Sequence, residues 1–120
     1  MEVPILKQGD FLIATVQAAL TDADLLHFRA ALIQQVVRCR SRGVVVDLTS
    51  LDVMDSFALR TLREIAQTIR LRGAETVIVG IQPEVAFAMV QLGLKLEDVT
   101  CALDLEEGLA NLSYRSSSGA

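Results

Sequence analysis

The side chains able to do chemistry gather in one short stretch. Residues 51–62, "LDVMDSFALRTL", set Asp52, Asp55 and Ser56 in an otherwise apolar run, with Asp47 just upstream. Three chemistries use such a set: a serine nucleophile, a carboxylate phospho-acceptor with its metal, and a serine offered to another enzyme. A nucleophilic serine on a strand–turn–helix elbow stands between glycines, because the turn is strained. Here Met54 and Ala58 occupy those places. The nucleophile also needs a histidine base, and the only histidine, His27, belongs to a different predicted helix. Hydrolysis by Ser56 is therefore not expected.

Asp47 closes a predicted strand, where α/β folds place reactive groups. A phospho-acceptor aspartate needs a divalent metal held by further carboxylates and a lysine to meet the phosphoryl group. The only lysines are Lys7 and Lys95, and neither ends a central strand. Asp47, Asp52 and Asp55 could at most ring a metal loosely; a solvated loop followed by a helix cap accounts for them more simply. Gly43, Gly73 and Gly80 stand apart, with no GK[ST] phosphate loop. No cofactor and no metal is expected. Cys39 and Cys101 fit no metal spacing and read as two reduced, buried or half-buried thiols.

The totals agree with a small binding domain. The chain has 120 residues, 52% of them apolar, enough for one ordinary core. A net charge of −4 argues against a broad nucleic-acid footprint. No apolar run approaches the ~18 residues of a membrane span. The opening "MEVPILKQGD" lacks the layout of a signal peptide, so the cytoplasm is the expected location.

The elements that must position Ser56 follow from patterning. "VPILK" (3–7) and "FLIATV" (11–16) around Gly9 predict a hairpin. Thr21 and Asp24 resemble a capping box opening a helix over 22–41, with Leu25, Phe28, Leu32 and Val36 on its apolar face. "VVVDL" (44–48) and "TVIVGI" (76–81) are continuous apolar runs, typical of strands covered on both faces. Between them a helix over 56–72 presents Ala58, Leu59, Leu62, Ile65, Ala66 and Ile69. Pro83 opens a third helix closed by Gly93. A weak strand at 98–101 and a last helix at 105–112, capped by Asp104 or Glu107, complete the pattern. The polar stretch 113–120 reads as a disordered tail. The fold class is a single α/β domain over 1–112, with a mixed, mainly parallel sheet of about four to five strands and about four helices.

Asp55 is the natural cap of the second helix and leaves Ser56 at its first position. Two readings of Ser56 remain open: a helix start only, or a serine presented to a kinase. A helix N-terminus favours an added anion. Val53, Met54 and Phe57 would give a partner something apolar to bind, although core packing explains at least one of them, with Val53 the expected core member.

These segments carry a resemblance. "VVVDLTSLDVMDSFALRTL", "RGAETVIVGIQPEVAFAMVQLGL" and "ALDLEEGL", in that order, resemble a STAS domain, the fold of bacterial anti-sigma factor antagonists. The strand ending in Asp47-Leu48 and the Asp55-Ser56 pair opening a helix match the family hallmark. Many antagonists continue with Ser-Gly-Leu after that pair; this chain has Phe57-Ala58-Leu59. With "GIQPEVA" and "ALDLEEGL", that departure is similar to the RsbS branch, the small STAS subunit of the stressosome. The likeness covers about residues 3–112.

The resemblance implies a non-enzymatic scaffold. Ser56 would be phosphorylated by an RsbT-like switch kinase, which then leaves. Asp55 and Asp47 would support the phosphosite, and Asp52, Met54 and Phe57 would contact the partner. The implied partners are that kinase, an RsbR-like STAS co-antagonist and a phosphatase that resets Ser56. Self-association is expected too, through helix surfaces because Pro4 blunts the edge strand. No sensor domain precedes these segments, which the resemblance ties to the short RsbS role. Residues 84–94 contain no Ser or Thr, so no second phosphosite is expected there. Two rivals remain: a small phosphoryl-transfer or hydrolytic enzyme using Asp47 and Ser56, and a simple antagonist that binds an anti-sigma factor outside any stressosome.

Overall fold

The computed structural model describes residues 2–93 and 99–118. Its strands are β1 (Ile5–Gln8), β2 (Phe11–Thr15), β3 (Gly43–Asp47), β4 (Glu75–Val79) and β5 (Thr100–Ala102). Its helices are α1 (Asp22–Cys39), α2 (Ser56–Leu71), α3 (Pro83–Gln91) and α4 (Leu105–Ser118). The sheet order is β1-β2-β3-β4-β5. Only β1 runs antiparallel, paired with β2 as Leu6 opposite Ile13; the other neighbours are parallel.

Strands joined in sequential order by crossovers of one hand place the connecting helices on one face. The core follows that rule. Leu12, Ala14, Val44, Val46 and Ile78 point to the side where α1, α2 and α3 pack. Ile13, Val45, Val77 and Val79 point to the opposite side and meet Leu112 of α4. This explains why "VVVDL" and "TVIVGI" show no alternation: both faces of β3 and β4 are dry. Each buried valine contributes on the order of 1.5–3 kcal/mol.

Local signals set the helix ends. Thr21 and Asp24 form a reciprocal capping box, with the Asp24 N–H donating to Thr21 Oγ1 at 3.1 Å and the Thr21 N–H to Asp24 Oδ2 at 3.2 Å. The Glu107 N–H donates to Asp104 Oδ1 at 2.9 Å as α4 begins. That helix continues through Ser118, past the expected end at 112. It holds the sheet through Gly108, where a Cβ would lie 2.7 Å from Val79 Cγ1. Glycine costs a helix interior about 1 kcal/mol, but here it lets the helix backbone approach the strand. Residue 98, the expected start of β5, lies outside the described residues.

Candidate functional site

The start of α2 is built by Asp55. Its Oδ1 accepts the Ala58 N–H at 2.8 Å and its carbonyl accepts the Leu59 N–H at 3.1 Å. Two N–H groups at the helix start are satisfied without help from Ser56. Ser56 is thus the first helical residue, exposed, and its hydroxyl has no hydrogen-bond partner among the described residues.

Asp47 works on the loop instead. At the end of β3, its Oδ1 accepts the Thr49 N–H at 2.9 Å and the Thr49 hydroxyl at 2.6 Å. The loop is then tied across the sheet. The Leu48 N–H donates to the Val79 carbonyl at 3.0 Å, and Gln82 Nε2 donates to the Thr49 carbonyl at 2.7 Å. Leu51 is buried, so both ends of the segment leading to Asp55 are anchored. Asp47 therefore shapes the approach to α2 through the turn it closes. Asp52 is exposed. Among the described residues no three His, Cys, Asp or Glu side chains converge as metal ligands, so the three aspartates do not form a cation site.

The apolar neighbours divide differently from expectation. Val53 is 62% exposed, whereas Met54 is half-buried and packs against the core. Met54, not Val53, is the member of the trio taken into the core. Phe57 is half-buried. Behind the loop lies an apolar cavity of about 140 Å³, with Leu20, Phe28, Leu51, Met54 and Asp55 among its walls. Cys39 is half-buried, but Cys101 is exposed rather than buried, and partial desolvation pushes its thiol pKa up. His27 is exposed on α1, consistent with a surface role.

One feature of the site is absent from the sequence expectations. Ser56, Leu59, Arg60 and Arg63 of α2, together with Leu92 after α3, line a groove of about 230 Å³. The serine at the helix start therefore opens onto a basic trough. The spacing of Arg60 and Arg63, four and seven residues after Ser56, is the signal that could have found it.

Comparison with known proteins places this geometry in a family. The model of the STAS domain matches residues 2–108. RsbS of Moorella thermoacetica, solved as a serine-to-glutamate variant, is 32% identical; the likeness covers 96% of this chain and 97% of that one, with a TM-score of 0.87. A chain from the solved architecture of the stressosome, a signal integration and transduction hub, is 33% identical with a TM-score of 0.81 and covers 94% of this chain and 98% of its own. The RsbT co-antagonist protein RsbRA of Bacillus subtilis is 33% identical over 65% of this chain, but the match spans only 28% of that longer protein. The fold, the Asp55-Ser56 helix start and these relatives agree: the chain belongs to the STAS domain family, among its anti-sigma factor antagonists and stressosome subunits.

Proposed function

We propose that this protein is a phosphorylation-switched binding module, an RsbS-like stressosome subunit with Ser56 as the acceptor. It holds an RsbT-like switch kinase while Ser56 is unmodified and releases it once Ser56 carries phosphate. The kinase brings ATP; its γ-phosphoryl group passes to Ser56 Oγ, the hydroxyl proton is lost and ADP leaves. A phosphatase restores the serine. An RsbR-like STAS co-antagonist shares the assembly, which sits in the cytoplasm, and the chain itself turns over no substrate.

The observation that carries this reading is the division of labour at the start of α2. Asp55 caps the helix, so the exposed hydroxyl of Ser56 can be modified without unmaking the cap. Val53, at the surface, and half-buried Phe57 and Met54 give a docked partner apolar contacts, with Asp52 exposed at the rim. Asp47 supports the site by holding the Thr49 turn. The test is intact-mass analysis and site mapping after incubation with ATP and the cognate kinase. One phosphate on Ser56 is the expected result; a phosphate mapped elsewhere removes the reading.

A further inference from the structure

We infer that a phosphate on Ser56 is received within the same domain by Arg60, with Arg63 reinforcing it, in the groove between α2 and α3. This rests on the proposed phosphorylation of Ser56 and says where the modified group goes.

The helix geometry makes the seat directional. Residues four apart on a helix are neighbours on one face, about 5–6 Å between Cβ atoms. Every Cα–Cβ bond tilts toward the N-terminus, so the side chain at the later position leans back over the earlier one. Arg60 therefore leans toward Ser56, as a residue four before it could not. Both side chains line the groove, Ser56 at its mouth and Arg60 along its wall. Arg60 is exposed and has no ion-pair partner among the described residues. Its planar fork matches phosphate oxygens two at a time. Arg63, one turn further and half-buried, already makes a contact; its role here needs only its charge.

The other charges at this end favour the groove over the loop. Asp52 and Asp55 precede Ser56, and both repel a phosphate that swings their way. On the α3 side the described wall is Leu92, which brings no charge. A phosphate pointing along α2 gains the arginines and moves away from the aspartates. Two surface features then change together on modification: an anion appears and Arg60 is drawn in from solvent.

The test reads the phosphate directly. Phosphoserine is installed at residue 56 during translation, so the sample does not depend on the kinase accepting each variant. Phosphorus NMR then follows the second ionisation of the phosphate, ordinarily near 6, in the wild-type background, Arg60→Gln, Arg60→Lys and Arg63→Gln. A cation beside the dianion favours its charged form and lowers that midpoint. The expected result is a midpoint in Arg60→Gln about half a pH unit above wild type, a smaller rise in Arg63→Gln, and an Arg60→Lys value between them. Salt should shrink the difference. Coincident titrations of wild type and Arg60→Gln would overturn the seat. Circular dichroism of each sample confirms that the fold is kept. Kinase labelling of the unmodified protein is scored separately: failure there removes the switch, whereas coincident titrations with Ser56 still labelled remove only the arginine seat.

Discussion

The backbone of Gly80 lies directly against Thr49. A Cβ at residue 80 would sit 2.9 Å from Thr49 Cβ and 3.0 Å from its Cα. Gly80 also has a φ of +71°, a conformation side chains rarely adopt. The contact presses the end of β4 onto the turn that Asp47 closes, and Gln82 then holds the Thr49 carbonyl. The loop leading to Ser56 is thus supported from a neighbouring strand.

Gly80→Ala should accordingly be costly. The left-handed backbone alone disfavours alanine by about 1–2 kcal/mol, and the overlap adds to it. Urea unfolding should show a loss of about 2 kcal/mol or more. In a double-mutant cycle, Thr49→Ala should recover part of that loss. A Gly80→Ala protein as stable as wild type would mean that the contact is not maintained in solution.

The caps make a paired prediction. Asp55→Ala removes the acceptor for the Ala58 N–H and should cost about 0.5–2 kcal/mol. Ser56→Ala removes a hydroxyl with no structural partner and should lie within about 0.5 kcal/mol of wild type. Chemical denaturation of both variants checks the order; the reverse ranking would make Ser56 the structural cap.

Ser56→Ala should also separate binding from release. The variant should hold the switch kinase as the parent does, but take up no phosphate and not release the kinase when ATP is added. Size-exclusion chromatography of the complex before and after ATP reads this out. Release from the alanine variant would place the trigger on another residue.

Phosphate on Ser56 should leave the fold almost untouched. The helix N-terminus stabilises an exposed anion by about 0.3–1 kcal/mol, and repulsion from Asp52 and Asp55 opposes it at similar size. The melting temperature should move by only a few degrees, since about 1 kcal/mol corresponds to roughly 4–8 °C in a small domain. Kinase affinity should fall at least tenfold, because a doubly charged group buried without a partner loses several kcal/mol of hydration and 1.4 kcal/mol is tenfold. A thermal melt and a kinase titration on one phosphorylated sample decide the matter. Unchanged affinity would defeat the switch, and a collapsed fold would make unfolding the cause of release.

Cys101 offers a pH-dependent check on β5. Desolvation raises its thiol pKa, so at a given pH it holds less thiolate than a free cysteine. Alkylation at pH 8 should be slower than for a cysteine-containing peptide, and should accelerate as the pH climbs through the raised value. Peptide-like rates would mean that the thiol is fully hydrated.

What was legible in the sequence is what neighbouring residues decide. Thr21 with Asp24, and Asp55 ahead of Ala58, satisfy N–H groups three positions away, so type and spacing sufficed to place both helix starts. The apolar runs of β3 and β4 announced strands dry on both faces because each valine is buried wherever it points. The ordered segments around Asp55-Ser56 carried the family. The rest needed distant parts of the chain to meet. Val53 lies in a loop with no period to say which way it faces, and only the packing of Met54 and Leu51 turned it outward. The serine-rich end of α4 has no strong propensity either way, and its extension to Ser118 follows a helix seated on the sheet through Gly108 and Leu112. The groove beside Ser56 takes one wall from Leu92, and the Asp47 turn takes its clamp from Gln82. A cap reads across one turn of helix, whereas a groove or a clamp exists only once strands and helices far apart in sequence have packed.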